Sequence, residues 1–186
     1  MKELTMPNWC FNEVRVTADT EEELKEFVLF VEDMERDEQG FNRVFSFDRI
    51  LPIPKELKNT VSPRYLATQK EMDEIYTTND IDSAEYKYKI QKYITQENSD
   101  KLVEKYGSDN WYDWANENWG TKWDASNSDI YINDLENDDY FVEYQFETAW
   151  CPPRGIYNAL NKRFPNIDIS WFYREEGAQI AGYLPN

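Results

Sequence analysis

Tyr140-Phe141-Val142-Glu143-Tyr144-Gln145-Phe146-Glu147-Thr148 puts Tyr140, Val142, Tyr144 and Phe146 on one side of the chain and Glu143, Gln145 and Glu147 on the other. A period of two marks a half-buried strand and not a helix. Just upstream, Ser128–Asn133 places Ile130 and Ile132 on one face, and Asn133–Asp139 is an acidic run of turn residues, so the two strands read as a hairpin. Just downstream, Pro152-Pro153 opens a helix, because proline is tolerated in the first turn. Ile156, Leu160 and Phe164 form its apolar stripe and Pro165 stops it. Ile167–Tyr173 then alternates again, with Ile167, Ile169, Trp171 and Tyr173 inward, and Gly177–Leu184 is a short closing strand.

The N-terminal third supplies the matching half. Asn12, Val14 and Val16 alternate with Phe11, Glu13, Arg15 and Thr17 in a strand over Trp9–Thr17. A helix follows, with Thr20 and Glu23 spaced as a capping box, Leu24, Phe27, Val28 and Val31 at helical spacing, and Gly40 at its end. Residues 41–63 are irregular, anchored by Phe41, Val44, Phe45 and Phe47 and interrupted by Leu51-Pro52-Ile53-Pro54. From about Tyr65 to Trp119 the pattern is helical: Tyr86, Ile90, Tyr93 and Ile94 share a face, Leu102, Val103 and Tyr106 precede Gly107, and Asp109 caps a helix to Asn118. Trp111, Trp114, Trp119 and Trp123 are expected to form a small aromatic core there.

The predicted order is strand, helix, helical insertion, strand, strand, helix, strand, strand. Without the insertion this is β-α-β-β-α-β plus an edge strand. The expected fold is therefore α+β: a single ferredoxin-like split βαβ domain over residues 1–186, two helices on one face of an antiparallel sheet, with a Trp-rich insertion at about 64–123.

Composition limits the function. The chain has 186 residues, 20 Lys+Arg, 37 Asp+Glu and no His, for a formal charge of −17. With 7 Trp, 13 Tyr and 10 Phe there is ample apolar material for a core. The absence of His removes the usual general base and the commonest zinc ligand. An acidic protein repels phosphate backbones and anionic lipid surfaces, so direct nucleic-acid and membrane binding are excluded as first expectations. The free sheet face, read as Glu13, Arg15, Thr17, Asp129, Tyr131, Glu143, Gln145, Glu147, Asp168, Ser170 and Phe172, holds five acids to one base, which rules against RNA recognition. Two cysteines, Cys10 and Cys151, are too few for a disulfide framework and imply reduced thiols in a cytoplasm.

Asp19–Glu38 carries net −8 and Asp124–Glu147 another −8, so two stretches hold −16 of the −17. Within them Glu32, Asp33, Glu35, Asp134, Glu136, Asp138, Asp139, Glu143 and Glu147 are the candidate partner-binding residues. The plain alternative is a solvated face that keeps the protein soluble. The spacing of Asp134, Glu136, Asp138 and Asp139 starts like a calcium loop, but the sixth position is Asp139 and not Gly, and the twelfth is Gln145 and not Glu; no metal site is expected. Cys151 lies near a helix start but has no His to activate it, and six glycines are scattered without a phosphate-cradling loop. No catalytic residue and no cofactor is expected.

Met6-Pro7-Asn8-Trp9-Cys10-Phe11-Asn12, Leu51-Pro52-Ile53-Pro54, Trp119-Gly120-Thr121-Lys122-Trp123-Asp124 and Thr148-Ala149-Trp150-Cys151-Pro152-Pro153-Arg154-Gly155 resemble segments of a phage and plasmid protein family typified by YubB. The resemblance implies a mobile-element accessory protein with a ferredoxin-like core and brings no catalytic residues. With the charge pattern, it points to a non-enzymatic inhibitor in the host cytoplasm. Its carboxylates would mimic nucleic acid in the basic groove of a host defence protein, of anti-CRISPR or anti-restriction type. A small-ligand or nucleotide-binding module using the Trp-rich insertion is the alternative.

Overall fold

Cys10, Asn12, Val14 and Val16 are fully buried while their odd-numbered neighbours are not, so Trp9–Thr17 forms a strand, β1, with one face in a core. The computed structural model describes residues 8–36, 42–77, 80–134 and 140–185, without the side chains of 34–36, 42 and 131–134. After β1 come α1 (Glu21–Val31), β2 (Asp33–Arg36), β3 (Asn42–Arg43), α2 (Phe47–Ile50), α3 (Lys55–Lys58), β4 (Tyr65–Leu66), α4 (Gln69–Tyr76) and α5 (Ala84–Lys92). Then follow β5 (Tyr93–Ile94), α6 (Gln96–Tyr106), α7 (Trp111–Asn118), β6 (Ser126–Asp134), β7 (Phe141–Ala149), α8 (Arg154–Arg163), β8 (Asp168–Glu175) and β9 (Ile180–Tyr183). Two compact units result: residues up to Pro52 together with those from Asn118 onward, and Ile53–Glu117.

In the first unit the sheet order is β6-β7-β1-β8-β9, antiparallel throughout. Val14 pairs with Tyr144 on one side and Trp171 on the other, so the three strands turn the same alternate residues inward. The α1 ring of Phe27 packs on Tyr144 and Phe164, and Tyr157 of α8 packs edge-on against Trp171. Phe45 and Phe47 plug the space beside them: Phe45 stacks on Phe146 at 4.9 Å and Phe47 meets Trp119 edge-on. Each such fully buried aromatic contributes about 1.5–3 kcal/mol over an exposed one. One polar network crosses this core. Asn12 donates to Thr148 Oγ1 and to Cys10 O, and accepts the Trp171 indole N–H at 3.1 Å.

Helix α1 starts as expected, with Thr20 accepting from Glu23 N–H. The Glu23 carboxylate accepts from the Thr20 hydroxyl. The helix ends at Val31, well short of Gly40, which lies outside the described residues. Ser46 N–H takes the Val31 carbonyl at 2.8 Å, and the chain turns extended at Glu32 and pairs β2 with β3. Glu32, Asp33 and Glu35 thus follow the helix and do not ride on it. At the start of α8 no side chain fits on Gly155, because a Cβ there would run into the Asn118 carbonyl.

The second unit, Ile53–Glu117, is held by buried Leu57, Met72, Ile94, Trp114 and Ala115. Its helices are capped by Thr68, Ser83 and Thr95, the first in a full capping box with Glu71, and Gly107 ends α6 at φ 81°. Asn110, not Asp109, caps α7, accepting from Asp113 N–H; Asp109 instead accepts from the Ser99 hydroxyl at 2.6 Å. Trp111 and Trp114 belong to α7 in this unit, whereas Trp119 and Trp123 belong to the other, against Phe47 and Trp9 respectively.

Candidate functional site

The open face of the five-stranded sheet is a mixture of carboxylates and aromatic rings. The register places Glu13 opposite Gln145 and Phe172, Arg15 opposite Glu143 and Ser170, Thr17 opposite Phe141 and Asp168, and Phe11 opposite Glu147 and Arg174. Strand β8 runs two residues beyond its expected end, which brings Arg174 onto this face. Among the described residues the face carries Glu13, Asp129, Glu143, Glu147 and Asp168 against Arg15 and Arg174. Both guanidiniums lie over phenyl rings: Arg15 is 4.3 Å from the Phe141 centroid and Arg174 is 4.8 Å from that of Phe11.

Where β1 starts and β7 ends, three indoles reach solvent. Trp9, Trp123 and Trp150 are 37%, 39% and 50% exposed, and the Trp9 and Trp123 rings lie 6.2 Å apart. Trp150 sits at φ 74°, a region that bulky side chains avoid. Cys151 N–H bonds to Ala149 O across it, closing a three-residue turn, while Trp150 N–H bonds to Asn8 O. The surrounding bonds impose this geometry: Thr121 donates to Ala149 O, Thr148 to Cys151 O, and Cys151 Sγ to Gly120 O. A bulky residue in this region costs about 1–3 kcal/mol, and the Trp150 ring is half exposed. Neither alternation nor capping in the sequence signals it.

Beside Trp9 and Phe11 lies a cavity of about 340 Å³, walled also by Glu147, Arg174, Glu175 and Glu176. Glu175 is 2% exposed, and its two carboxylate oxygens accept from the Gly177 and Ala178 amides, which fixes the turn that forms the rim. Glu147 accepts from the Asn127 amide at 2.7 Å.

The expected partner-binding residues are distributed as follows. Glu143 and Glu147 lie on the open face, Glu143 paired with Arg15 at 3.0 Å. Glu32 and Asp33 are half-buried at the end of α1 and the start of β2. Glu35 and Asp134 belong to β2 and β6, with side chains outside the described residues, as are Glu136, Asp138 and Asp139 altogether. Other acids of the two charged stretches have structural work. Glu21 pairs with Lys25 and Glu26 with Arg163. Asp124 accepts from the Phe47, Asp48 and Ala125 amides, the Ser46 hydroxyl and Arg43, pinning α2 to the core unit. Burial pushes its carboxyl above the usual range in spite of those donors.

The thiols are suppressed. Burial raises Cys10 to about 11 and also raises Cys151. Nucleophilic chemistry needs the thiolate, which such shifts disfavour. Among the described residues no three His, Cys, Asp or Glu side chains converge as a metal site requires, and no helix is long and apolar enough to cross a membrane.

Residues 118–185 match the family model described as the ferredoxin-like domain in Api92-like protein. That stretch is ferredoxin-like. It covers β6, β7, α8, β8 and β9, the strands and helix that follow the insertion. Among solved structures, protein Api92 from Yersinia pseudotuberculosis is similar at 12% identity and a TM-score of 0.49, over 96% of this chain and 93% of that one. No curated protein matches the chain.

Proposed function

We propose that the protein is a non-enzymatic accessory protein of a phage or plasmid that binds a host defence protein and blocks the basic groove in which that host handles nucleic acid. Its fold on this reading is a split βαβ domain with an edge strand and an insertion after the first helix. The order β6-β7-β1-β8-β9 with α1 and α8 over one face supports that reading. The observation that carries the function is that, among the described residues, five carboxylates stand against two guanidiniums on the sheet face opposite α1 and α8, in a chain of net charge −17. A basic groove is steered toward such a face and associates faster with it. The exposed indoles of Trp9, Trp123 and Trp150 beside it are anchors of the type that dominates interface energies.

Cleavage by purified restriction nucleases and CRISPR effectors, with and without the protein, tests this. Inhibition is expected, and it weakens when Asp134, Glu136, Asp138, Asp139, Glu143 and Glu147 are changed together to Asn and Gln. Inhibition indifferent to that change removes carboxylate mimicry from the account.

A further inference from the structure

We infer that the cavity beside Trp9 and Phe11 is a receptor for an arginine side chain presented by a basic protein partner. The inference rests on the partner-binding reading above and names the contact that anchors it. Three observations converge. First, Glu147, Glu176 and the buried Glu175 line the cavity together with one guanidinium, Arg174, a formal net of −2. Among the described residues the donors to Glu147 and Glu175 are neutral amides, from Asn127 and from the turn at Gly177 and Ala178, and those bonds cancel none of the formal charge. Second, Trp9 and Phe11 supply ring faces, and this chain's own cations already use such faces nearby: Arg174 over Phe11 at 4.8 Å and Lys122 over Trp123 at 3.8 Å. Trp9 carries no cation of its own among the described residues. Third, about 340 Å³ is far more than a bare ion fills and admits a planar guanidinium on its stem. Arginine suits the site better than lysine, because its flat, weakly hydrated head stacks on an indole while offering several donors to carboxylates.

Glu175 holds the turn at Gly177, which forms one side of the rim. The strained turn at Trp150 sets a further indole next to the strand pair that begins with Trp9 and Ala149. An arginine entering the cavity would therefore carry its flanking chain over an apolar surface.

The test titrates the intact protein with acetyl-Gly-Arg-Gly-amide and with the citrulline counterpart, which keeps the shape and loses the charge, following tryptophan indole signals by NMR. The arginine peptide shifts the Trp9 indole, and the citrulline peptide binds about tenfold more weakly or not at all. Glu147→Gln weakens binding several-fold. Arg174→Gln removes the resident competitor and tightens it several-fold, a gain that misfolding cannot imitate. Equal binding of the two peptides, or shifts spread over the acidic surface without Trp9, overturns the proposal. Arginine binding by a protein that inhibits no nuclease leaves the receptor standing and refutes only the class of target; undiminished inhibition by Glu147→Gln combined with Trp9→Phe refutes the receptor as the anchor.

Discussion

Trp171 donates its indole N–H to the carboxamide oxygen of Asn12, 3.1 Å away and sealed between β1 and β8. The same amide donates to Thr148 on β7, so one side chain ties the three central strands together. A buried donor left without a partner costs about 1–3 kcal/mol. Asn12→Leu, close in volume, therefore lowers unfolding free energy by about 2 kcal/mol. Denaturant melts measure it, and an unchanged midpoint would mean that the network contributes nothing.

Asp124 gathers five donors around the first turn of α2. Asp124→Ala strips them all and costs about 3 kcal/mol, since several amides lose their acceptor in a largely buried place. Amide exchange at Phe47 and Asp48 accelerates in that variant. Unaltered exchange at those two amides contradicts the capping role.

Glu56 accepts from the Tyr106 hydroxyl at 2.8 Å, from its own backbone amide and from Lys105 at 3.1 Å, which together pull its carboxyl from an ordinary 4.5 down to about 2. Its folded value lies below its unfolded one. The stabilisation is therefore complete above about 4.5 and disappears as pH falls toward 2. Carboxyl NMR titration of Glu56 has its midpoint near 2, and Tyr106→Phe moves it upward. A midpoint in the usual carboxylate range argues against the contact.

Cys10 and Cys151 resist alkylation in the folded protein at about pH 8, because burial disfavours both thiolates. Iodoacetamide labels them quickly only after denaturation. Fast labelling of native Cys151 would restore the case for a nucleophile.

The sheet was legible because exposure alternates along β1, β7 and β8, and alternation is a property of sequence alone. Val142, Tyr144 and Phe146 face inward as their spacing requires. The end of α1 was not legible. Acids continue a plausible helical surface through Glu35, and what stops the helix is a bond from Ser46, fifteen residues further on. Asp109 and Asn110 are equally good caps, and Ser99 decides between them by taking Asp109. Thr68-Gln69-Lys70-Glu71 is a readable capping box that marks α4 directly. Asp124 counts as surface charge in the sequence and as a buried cap in the fold. Of the site, the acidic open face follows from strand periodicity, whereas the Trp150 turn and the cavity by Trp9 arise from contacts between distant segments.

Equilibrium binding to an inhibited nuclease, measured across a series of salt concentrations and in the presence of competing duplex, weighs the acidic-mimic account most directly. The logarithm of affinity should decline steadily with the logarithm of salt, and duplex should displace the protein from the shared groove. Affinity that ignores salt, or a complex that holds protein and duplex together, would contradict it.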